Sequence, residues 1–325
     1  MTTPITRRAA LTTVGATLVL TSGAVRAQTY PAKPVRILIG SVAGGSDDAF
    51  MRVLADKLGT ALGQSVVLEH RAGATGVIAM DALAKSPPDG YTLALMWMPH
   101  TIQPAVLPTM PYDTVKDIAP VIQLGWGYNI LVANKDAPFN NVQEMITFAR
   151  ANPGKVAFGS GGNTTPAHLA GEYLKRLAKV DMLHVPYRGL AVAIPDLLAG
   201  RIHIIIGATG ATLPLIRGNQ VKAFATTAPV RMRLLPDVPT FAEAGFDMPL
   251  RDWRGIVALA RTPRAIIDRL NSEIAKILAS PEFQAQSDPQ GIVVAGGTPE
   301  TLAALVTTDM ARWATLVKET GIKAD

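Results

Sequence analysis

A strand, a loop of small residues and an amphipathic helix follow one another in both halves of the chain, and this repeated order restricts the fold most. In the first half, Val35–Ile39 is an apolar strand candidate, residues 41–48 form the loop, and large apolar residues recur every fourth position from Phe50 to Leu62. In the second half a strand leads into the loop Ser160–Thr165 and a helix that opens with Pro166. Strands that alternate with helices predict an α/β fold with mostly parallel sheets.

Both loops end where a helix is predicted to begin. The first N–H groups of a helix have no helical partner, and the helix dipole is positive there. One exposed helix end stabilises an anion by only about 0.3–1 kcal/mol. Two ends that close on one carboxylate away from water bind it more strongly, because desolvation strengthens polar contacts. The alternative interpretation is that both loops are simple turns with capped helices.

The donors of the second loop follow from its sequence. Because proline has no N–H, Pro166 cannot donate to a ligand. We expect donation from three backbone groups and three hydroxyls: the N–H groups of Thr165, Ala167 and His168, and the side chains of Ser160, Thr164 and Thr165.

The first 27 residues have the pattern of a secretory signal peptide. Arg7 and Arg8 supply a basic start, Ala9–Ala24 is mostly apolar or small, and Ala27 provides a cleavage site. The paired arginines fit twin-arginine export and equally an ordinary Sec signal. An uncleaved anchor is disfavoured, because the apolar run is shorter than the ~20 residues that span a membrane. We therefore expect a periplasmic protein.

Charge and cysteine content exclude some classes of protein. The formal charge of +6 includes three arginines of the predicted signal peptide, whose removal leaves 28 basic and 25 acidic residues. So small an excess predicts no nucleic-acid partner. The chain has no cysteine, so an exported form depends on its apolar core, and 48% of its residues are hydrophobic.

Eight phrases between Tyr30 and Asp325 resemble one receptor family in order and spacing. They are YPAKPVRI, AGGSDDAFMR, PDGYTL, FGSGGNTTPAHLAGE, HVPYRG, LLAGRI, LPDVPTFAEAG and GGTPE. Together they are similar to the Bug-type extracytoplasmic solute receptors of tripartite tricarboxylate transporters. The resemblance implies a periplasmic binding protein fold of type 2, with two α/β lobes, a hinge and a ligand cleft between the lobes.

The resemblance also implies how the chain is divided. The expected parts are the signal peptide 1–27, the first part of lobe 1 at 28–127, lobe 2 at 128–252 and the second part of lobe 1 at 253–325. The crossovers between the lobes should fall near Trp126–Ile130 and Asp252–Ile256.

Receptors of this kind hold a carboxylate between the first strand-to-helix loop of one lobe and the Ser/Gly/Thr loop of the other. Carried over to this sequence, the candidate ligand-binding residues are Ser41, Ala43, Gly44, Gly45, Ser46, Asp47, Asp48, Ser160, Gly161, Asn163, Thr164, Thr165, His168 and Gly207. Five of them depart from the family pattern, namely Ser41, Ala43, Asp47, Thr164 and Gly207, and Gly207 stands where an aspartate is frequent.

The two aspartates of the first loop have different predicted roles. Asp48, in the first helical turn, is expected to accept backbone N–H bonds and fix the loop, with direct ligand contact as the alternative. Asp47 stands where the family usually has a small polar residue. One hypothesis is that Asp47 meets a cationic or donating group of the ligand; the alternative is that it points to solvent or caps the helix.

No set of residues predicts catalysis, a metal or a cofactor. Of five histidines, only His168 has a second ligand at helical spacing, Glu172, and a structural histidine is the favoured interpretation. The residues around Ser160 do not match the nucleophile elbow of hydrolases. The loop at 40–45 lacks the dinucleotide fingerprint. Trp97, Trp126 and Trp253 are candidates for either the cleft wall or the core.

The sequence thus predicts a non-enzymatic receptor that captures a small carboxylate and delivers it to a membrane transporter or a sensor. Its partners would be the small-molecule ligand and transporter subunits, and we expect a monomer. The rival from another class is an exported enzyme that acts on a small organic acid.

Overall fold

Two β-sheets, each covered by helices, make up the computed structural model, which describes residues 30–44, 46–248, 250–288 and 291–322. The predicted signal peptide lies outside these ranges. The first sheet has the strand order β11-β4-β10-β3-β1-β2, and its strands are β1 (Val35–Ile39), β2 (Val66–His70), β3 (Thr92–Trp97), β4 (Ile118–Gly127), β10 (Asp252–Leu259) and β11 (Ile292–Val294). The second has the order β7-β6-β8-β5-β9, with β5 (Asn129–Asn134), β6 (Ala157–Ser160), β7 (Leu183–Pro186), β8 (Ile204–Ala208) and β9 (Val221–Thr226).

Ten α-helices connect these strands within the described ranges. They are α1 (Ser46–Leu62), α2 (Val77–Ala84), α3 (Pro99–Val106), α4 (Val142–Ala151), α5 (Pro166–Ala178), α6 (Leu190–Leu198), α7 (Thr209–Arg217), α8 (Arg264–Ala279), α9 (Pro281–Ser287) and α10 (Pro299–Thr320). Within those ranges, none of the helices combines the length and the apolar character that crossing a membrane requires.

The chain passes between the two sheets twice. It leaves the first sheet at the end of β4 and enters the second at the start of β5, with Tyr128 between them. It returns between Thr226, the end of β9, and Asp252, the start of β10. These passages fall at or near the predicted crossovers, while the lobe limits themselves stay a prediction.

The expectation of mostly parallel sheets is wrong, because both sheets are mixed. β1 pairs in parallel with β2 and β3, and β6 with β7 and β8. β10 is antiparallel to β3 and β4, and β5 is antiparallel to β8 and β9. The physical reason is the double crossing. β5 and β10 each begin directly after the chain has passed from the other sheet. They start at the edge where the parallel strands of their sheet end, so they run in the opposite direction.

The apolar stripe of α1 lies in the core, as its spacing predicts. Phe50, Leu54 and Leu58 are at most 1% exposed and pack with the strands of the first sheet. Each such side chain contributes roughly 1.5–3 kcal/mol when it is fully buried. This packing fixes the helix against the sheet and thereby fixes the position of its first turn, where Asp47 and Asp48 lie.

Thr262-Pro263 and Thr298-Pro299 are pairs whose residue types predict a capping threonine followed by proline in the first helical position. The start of α8 differs from that pattern, because Pro263 is itself the N-cap and the helix begins at Arg264. The start of α10 follows the predicted pattern, with Thr298 accepting a bond from the Thr301 N–H at 3.3 Å and Pro299 in the first helical position.

Candidate functional site

A cavity of about 210 Å³ is lined by residues from both sheets and their helices. The first sheet and its helices contribute Asp47, Trp97, Asp252 and Arg254. The second contributes Asn129 of β5, Gly161 and the starts of α5 and α6, together with Ala208 at the end of β8. Of the candidate residues, Asp47, Gly161 and Thr165 line this cavity.

Three helices of the second sheet begin at this cavity without a capping side chain. Their N-caps are Thr165 before α5, Gly189 before α6 and Ala208 before α7, and none of them accepts a side-chain capping bond. Elsewhere in the chain such caps exist: Asn141 accepts a bond from the Glu144 N–H at the start of α4. All three starts place positive dipole ends beside the cavity, which favour an anion there. The backbone donors are those of α5 and α6, because the first N–H of α7, that of Thr209, donates to the Tyr128 carbonyl at 3.1 Å.

The hydroxyls of the second loop donate inside the loop instead of toward the cavity. The Ser160 and Thr165 hydroxyls donate to the carbonyl of Gly162 at 3.0 and 2.6 Å, and the Thr164 hydroxyl donates to the Asn163 carbonyl at 2.6 Å. The three predicted hydroxyl donors therefore shape the loop. Thr164 also accepts a bond from Gln103 Nε2 of α3 at 3.2 Å, which connects the loop to the other half of the molecule.

His168 is a structural residue in this geometry. Its Nδ1 accepts the Thr164 N–H at 3.0 Å, and its ring stacks on that of His184 with centroids 4.0 Å apart. Burial, reinforced by His184 and Lys175, lowers the pKa of His168 to about 3. The imidazole is therefore neutral at physiological pH. Among the described residues no group of three or more His, Asp or Glu is placed to hold a metal ion.

Asp48 fixes the first loop. Its Oδ2 accepts the Gly44 N–H at 2.9 Å and Arg52 Nε at 3.0 Å, and its Oδ1 lies 2.9 Å from His70 Nε2. His70 Nδ1 in turn lies 2.9 Å from the carbonyl oxygen of Ser41. Burial alone would raise the pKa of Asp48, but the bonds from Gly44, Arg52 and His70 lower it below its usual value. These contacts agree with the loop-fixing role expected from the sequence.

Replacing Asp48 with alanine should lower the free energy of unfolding by about 2 kcal/mol, because charge-assisted hydrogen bonds to the loop are lost. Urea denaturation monitored by circular dichroism measures the change. Asp56→Ala is the matched control, since Asp56 lies two turns further along the same helix and is exposed. Equal stability of the two variants would show that Asp48 does not hold the loop.

Asp47 does not point to solvent. It is 7% exposed and forms a buried ion pair with Arg254 Nε of β10. Arg254 also donates to the backbone carbonyl of Asp252 at 3.1 Å, and its Nη2 lies 3.5 Å from Asp252 Oδ2. Burial raises the pKa of Asp252 to about 6, while Arg254 lowers it and Asp47 raises it. Two carboxylates thus share one guanidinium at the edge of the cavity.

Sequence reasoning missed Asp252 and Arg254. Both lie on β10, whose eight residues are all buried. The available signal was their presence in the otherwise apolar run that ends at Leu259, since charged residues are almost never fully buried without a partner. The partner of Arg254 is 207 residues away in sequence, so spacing alone could not identify it.

The other candidates that the structure describes are not among the residues that line the cavity. Ala43 and Gly44 are exposed, and Ser41 contributes its carbonyl oxygen to His70. Gly45 lies outside the described residues, and Ser46 is the first residue of α1. Gly207 precedes the lining residue Ala208, and a Cβ atom on Gly207 would lie 2.8 Å from Leu190 Cδ2. An aspartate at position 207 would therefore clash with Leu190 in its present position.

Known proteins of one receptor family are similar to this chain. The family model described as "Tripartite tricarboxylate transporter family receptor" matches residues 50–322. Protein BugT of Bordetella pertussis is 35% identical over 302 residues, which cover 92% of this chain and 93% of BugT.

Two solved structures share the fold and were determined with a bound acid. R. palustris Rpa4515 with adipate is 31% identical, with a TM-score of 0.83, and the match covers 91% of this chain and 100% of that chain. MatC of Rhodopseudomonas palustris with bound malate is 27% identical, with a TM-score of 0.81, covering 89% of this chain and 100% of that chain. The chain therefore belongs to the tripartite tricarboxylate transporter receptor family, as the Bug-type resemblance of its sequence predicts.

Proposed function

We propose that the protein is an exported, non-catalytic receptor that captures a small carboxylate in the cavity between its two lobes. The observation that carries the proposal is the meeting of three uncapped helix starts at one cavity. Backbone N–H donors and positive helix ends favour an anion there, and none of the described residues that line this wall is basic. The acids in the two related structures, adipate and malate, are both dicarboxylates.

The ligand-binding residues in this proposal are the cavity-lining ones. Gly161, Ala167 and Leu190 would offer backbone donors, while Asp47, Arg254 and Trp97 would form the opposite wall. Asp48 and the hydroxyls of Ser160, Thr164 and Thr165 would hold the two loops in shape. This assignment keeps Asp47 and Gly161 from the sequence candidates and adds lining residues that the candidate set did not contain.

Export and partners complete the proposal. The signal peptide would be removed after Ala27, and the mature receptor would work as a periplasmic monomer. It would deliver its ligand to the membrane subunits of a tripartite tricarboxylate-type transporter or to a sensor. Membership of a family that is named for that transporter supports the first of these partners.

A ligand screen on the purified protein tests the function. A receptor should be stabilised by its ligand by about 2.7 kcal/mol at a hundredfold excess over the dissociation constant. Thermal-shift measurements with mono- and dicarboxylates, amino acids and aromatic acids detect this effect, and mass spectrometry establishes whether the acid is returned unchanged. Stabilisation without turnover supports the receptor. Consumption of the acid would establish the enzyme alternative, and failure of every acid to stabilise the protein would contradict the proposal.

A further inference from the structure

The two walls of the cavity differ in their hydrogen-bonding character. One wall offers N–H donors from the starts of α5 and α6, and the other carries the side chain of Asp252. We propose that Asp252 selects, among small carboxylates, those that also bear an N–H or O–H donor, such as amino acids and hydroxy acids. This inference rests on the proposed function and names the ligand class of the same site.

Asp252 has an acceptor that the protein leaves unsatisfied. The residue is 5% exposed, and its Oδ1 has no hydrogen-bond partner in the described part of the chain. Its Oδ2 lies 3.5 Å from Arg254 Nη2, at the outer limit of a hydrogen bond. Buried polar atoms without a partner are uncommon and costly, so a ligand whose donor reaches the carboxylate of this cavity-lining residue binds more tightly than a ligand without a donor.

The charges around Asp252 favour a donating ligand group. The groups that face it are Arg254 and Asp47, and the guanidinium of Arg254 makes its closer side-chain contact with Asp47. When both carboxylates are ionised, this cluster carries one net negative charge. A ligand whose carboxylate meets the helix starts and whose amino or hydroxyl group meets Asp252 complements both walls. We therefore assign to Asp252 the recognition of a ligand donor that the sequence suggested for Asp47.

Matched ligands that differ in one substituent test this inference by isothermal titration calorimetry. The probes are succinate, malate and aspartate, together with adipate and 2-aminoadipate. Measurements at pH 8 keep Asp252 ionised, because its pKa is about 6. We expect each substituted acid to bind at least about tenfold more tightly than its unsubstituted partner, since a site that hydrogen-bonds a donor rejects the analogue without it.

Variants of Asp252 assign the preference to this residue. Asp252→Leu should reduce the affinity ratio of malate to succinate to about one, because the acceptor is gone. Asp252→Asn keeps the size of the side chain in case the leucine variant does not fold. It should lower the ratio of aspartate to succinate by about tenfold, because the charge that attracts an ammonium group is removed. Asp309→Asn is the control, since Asp309 is equally buried but bonds to Trp253 Nε1 at 2.6 Å, away from the cavity lining.

Two results would overturn the inference. One is a wild-type protein that binds succinate and adipate as tightly as their substituted partners, and the other is an Asp252→Leu variant that keeps the wild-type ratio. In both cases an acid still binds, so the proposed function survives. If none of the five acids binds while another acid of the wider screen does, the inference fails and the proposed function survives; only failure of every acid in that screen contradicts both.

Discussion

Replacing Arg254 with methionine should lower the free energy of unfolding by about 3–5 kcal/mol, the usual effect of removing one partner from a buried ion pair. Arg254 is 4% exposed and lies between Asp47 and Asp252. Methionine fills much of the same space but leaves two buried carboxylates without a cation. The loss therefore reflects uncompensated negative charge more than a lost attraction. Chemical denaturation at pH 7.5 measures the change.

A second arginine provides the control for this experiment. Arg264 also joins two carboxylates, Asp268 and Glu300, at 2.7 Å each, but its side chain is 63% exposed. Arg264→Met should leave the denaturation midpoint almost unchanged, because surface ion pairs are weak. Adding Asp47→Asn to Arg254→Met should recover part of the lost stability, since it removes one of the two buried carboxylates that lack a cation. If the two methionine variants lost equal stability, burial of Arg254 would not determine how much its ion pairs contribute to the free energy of unfolding.

The sequence predicts the local elements well where periodicity is strong. The strand at Val35–Ile39 has the predicted limits, and α1 buries the stripe from Phe50 to Leu62. These elements are specified by local spacing of apolar residues, which a single sequence contains.

The direction of the central strands is not predicted in the same way. β5 and β10 are buried along their whole length, so their sequences show no alternation of apolar and polar residues that separates parallel from antiparallel pairing. Their direction follows from the two passages between the sheets. These passages depend on the path of the whole chain, which local sequence patterns do not reveal.

The candidate site was predicted in outline and missed in detail. Thr165 follows from the helix-start argument and Gly161 from the family resemblance, and both line the cavity. The charged cluster depends on a contact between Asp47 and Arg254 that only the folded chain creates. The hydroxyls were assigned to the ligand because their type fits a carboxylate. In the folded loop, however, these hydroxyls donate their hydrogen bonds to the carbonyl groups of Gly162 and Asn163.

A methyl group added at Gly161 should weaken carboxylate binding by about ten- to a hundredfold, equivalent to about 1.4–2.8 kcal/mol. A Cβ atom there would lie 3.1 Å from the backbone nitrogen of Leu190, the first residue of α6. It would shield one of the donors that the account assigns to the ligand. Gly161 does not have a positive φ, so Gly161→Ala introduces no left-handed backbone strain.

Gly218→Ala is the matched control for this substitution. Its Cβ atom would also lie 3.1 Å from a backbone atom, the carbonyl oxygen of Pro214, and its φ is −75°. Gly218 follows the C-terminal end of α7 and is not among the residues that line the cavity. The two variants therefore differ in where the methyl group is placed and not in how tightly it is packed.

The most direct test of the two-walled carboxylate site is calorimetric titration of the wild-type protein and these two variants with malate, adipate and the tightest-binding acid of the screen. We expect one binding site per chain. The affinity for the acid should fall by about tenfold or more in Gly161→Ala and stay within about twofold of the wild-type value in Gly218→Ala. Wild-type affinity in Gly161→Ala would contradict the two-walled site, because the acid would then bind without the start of α6.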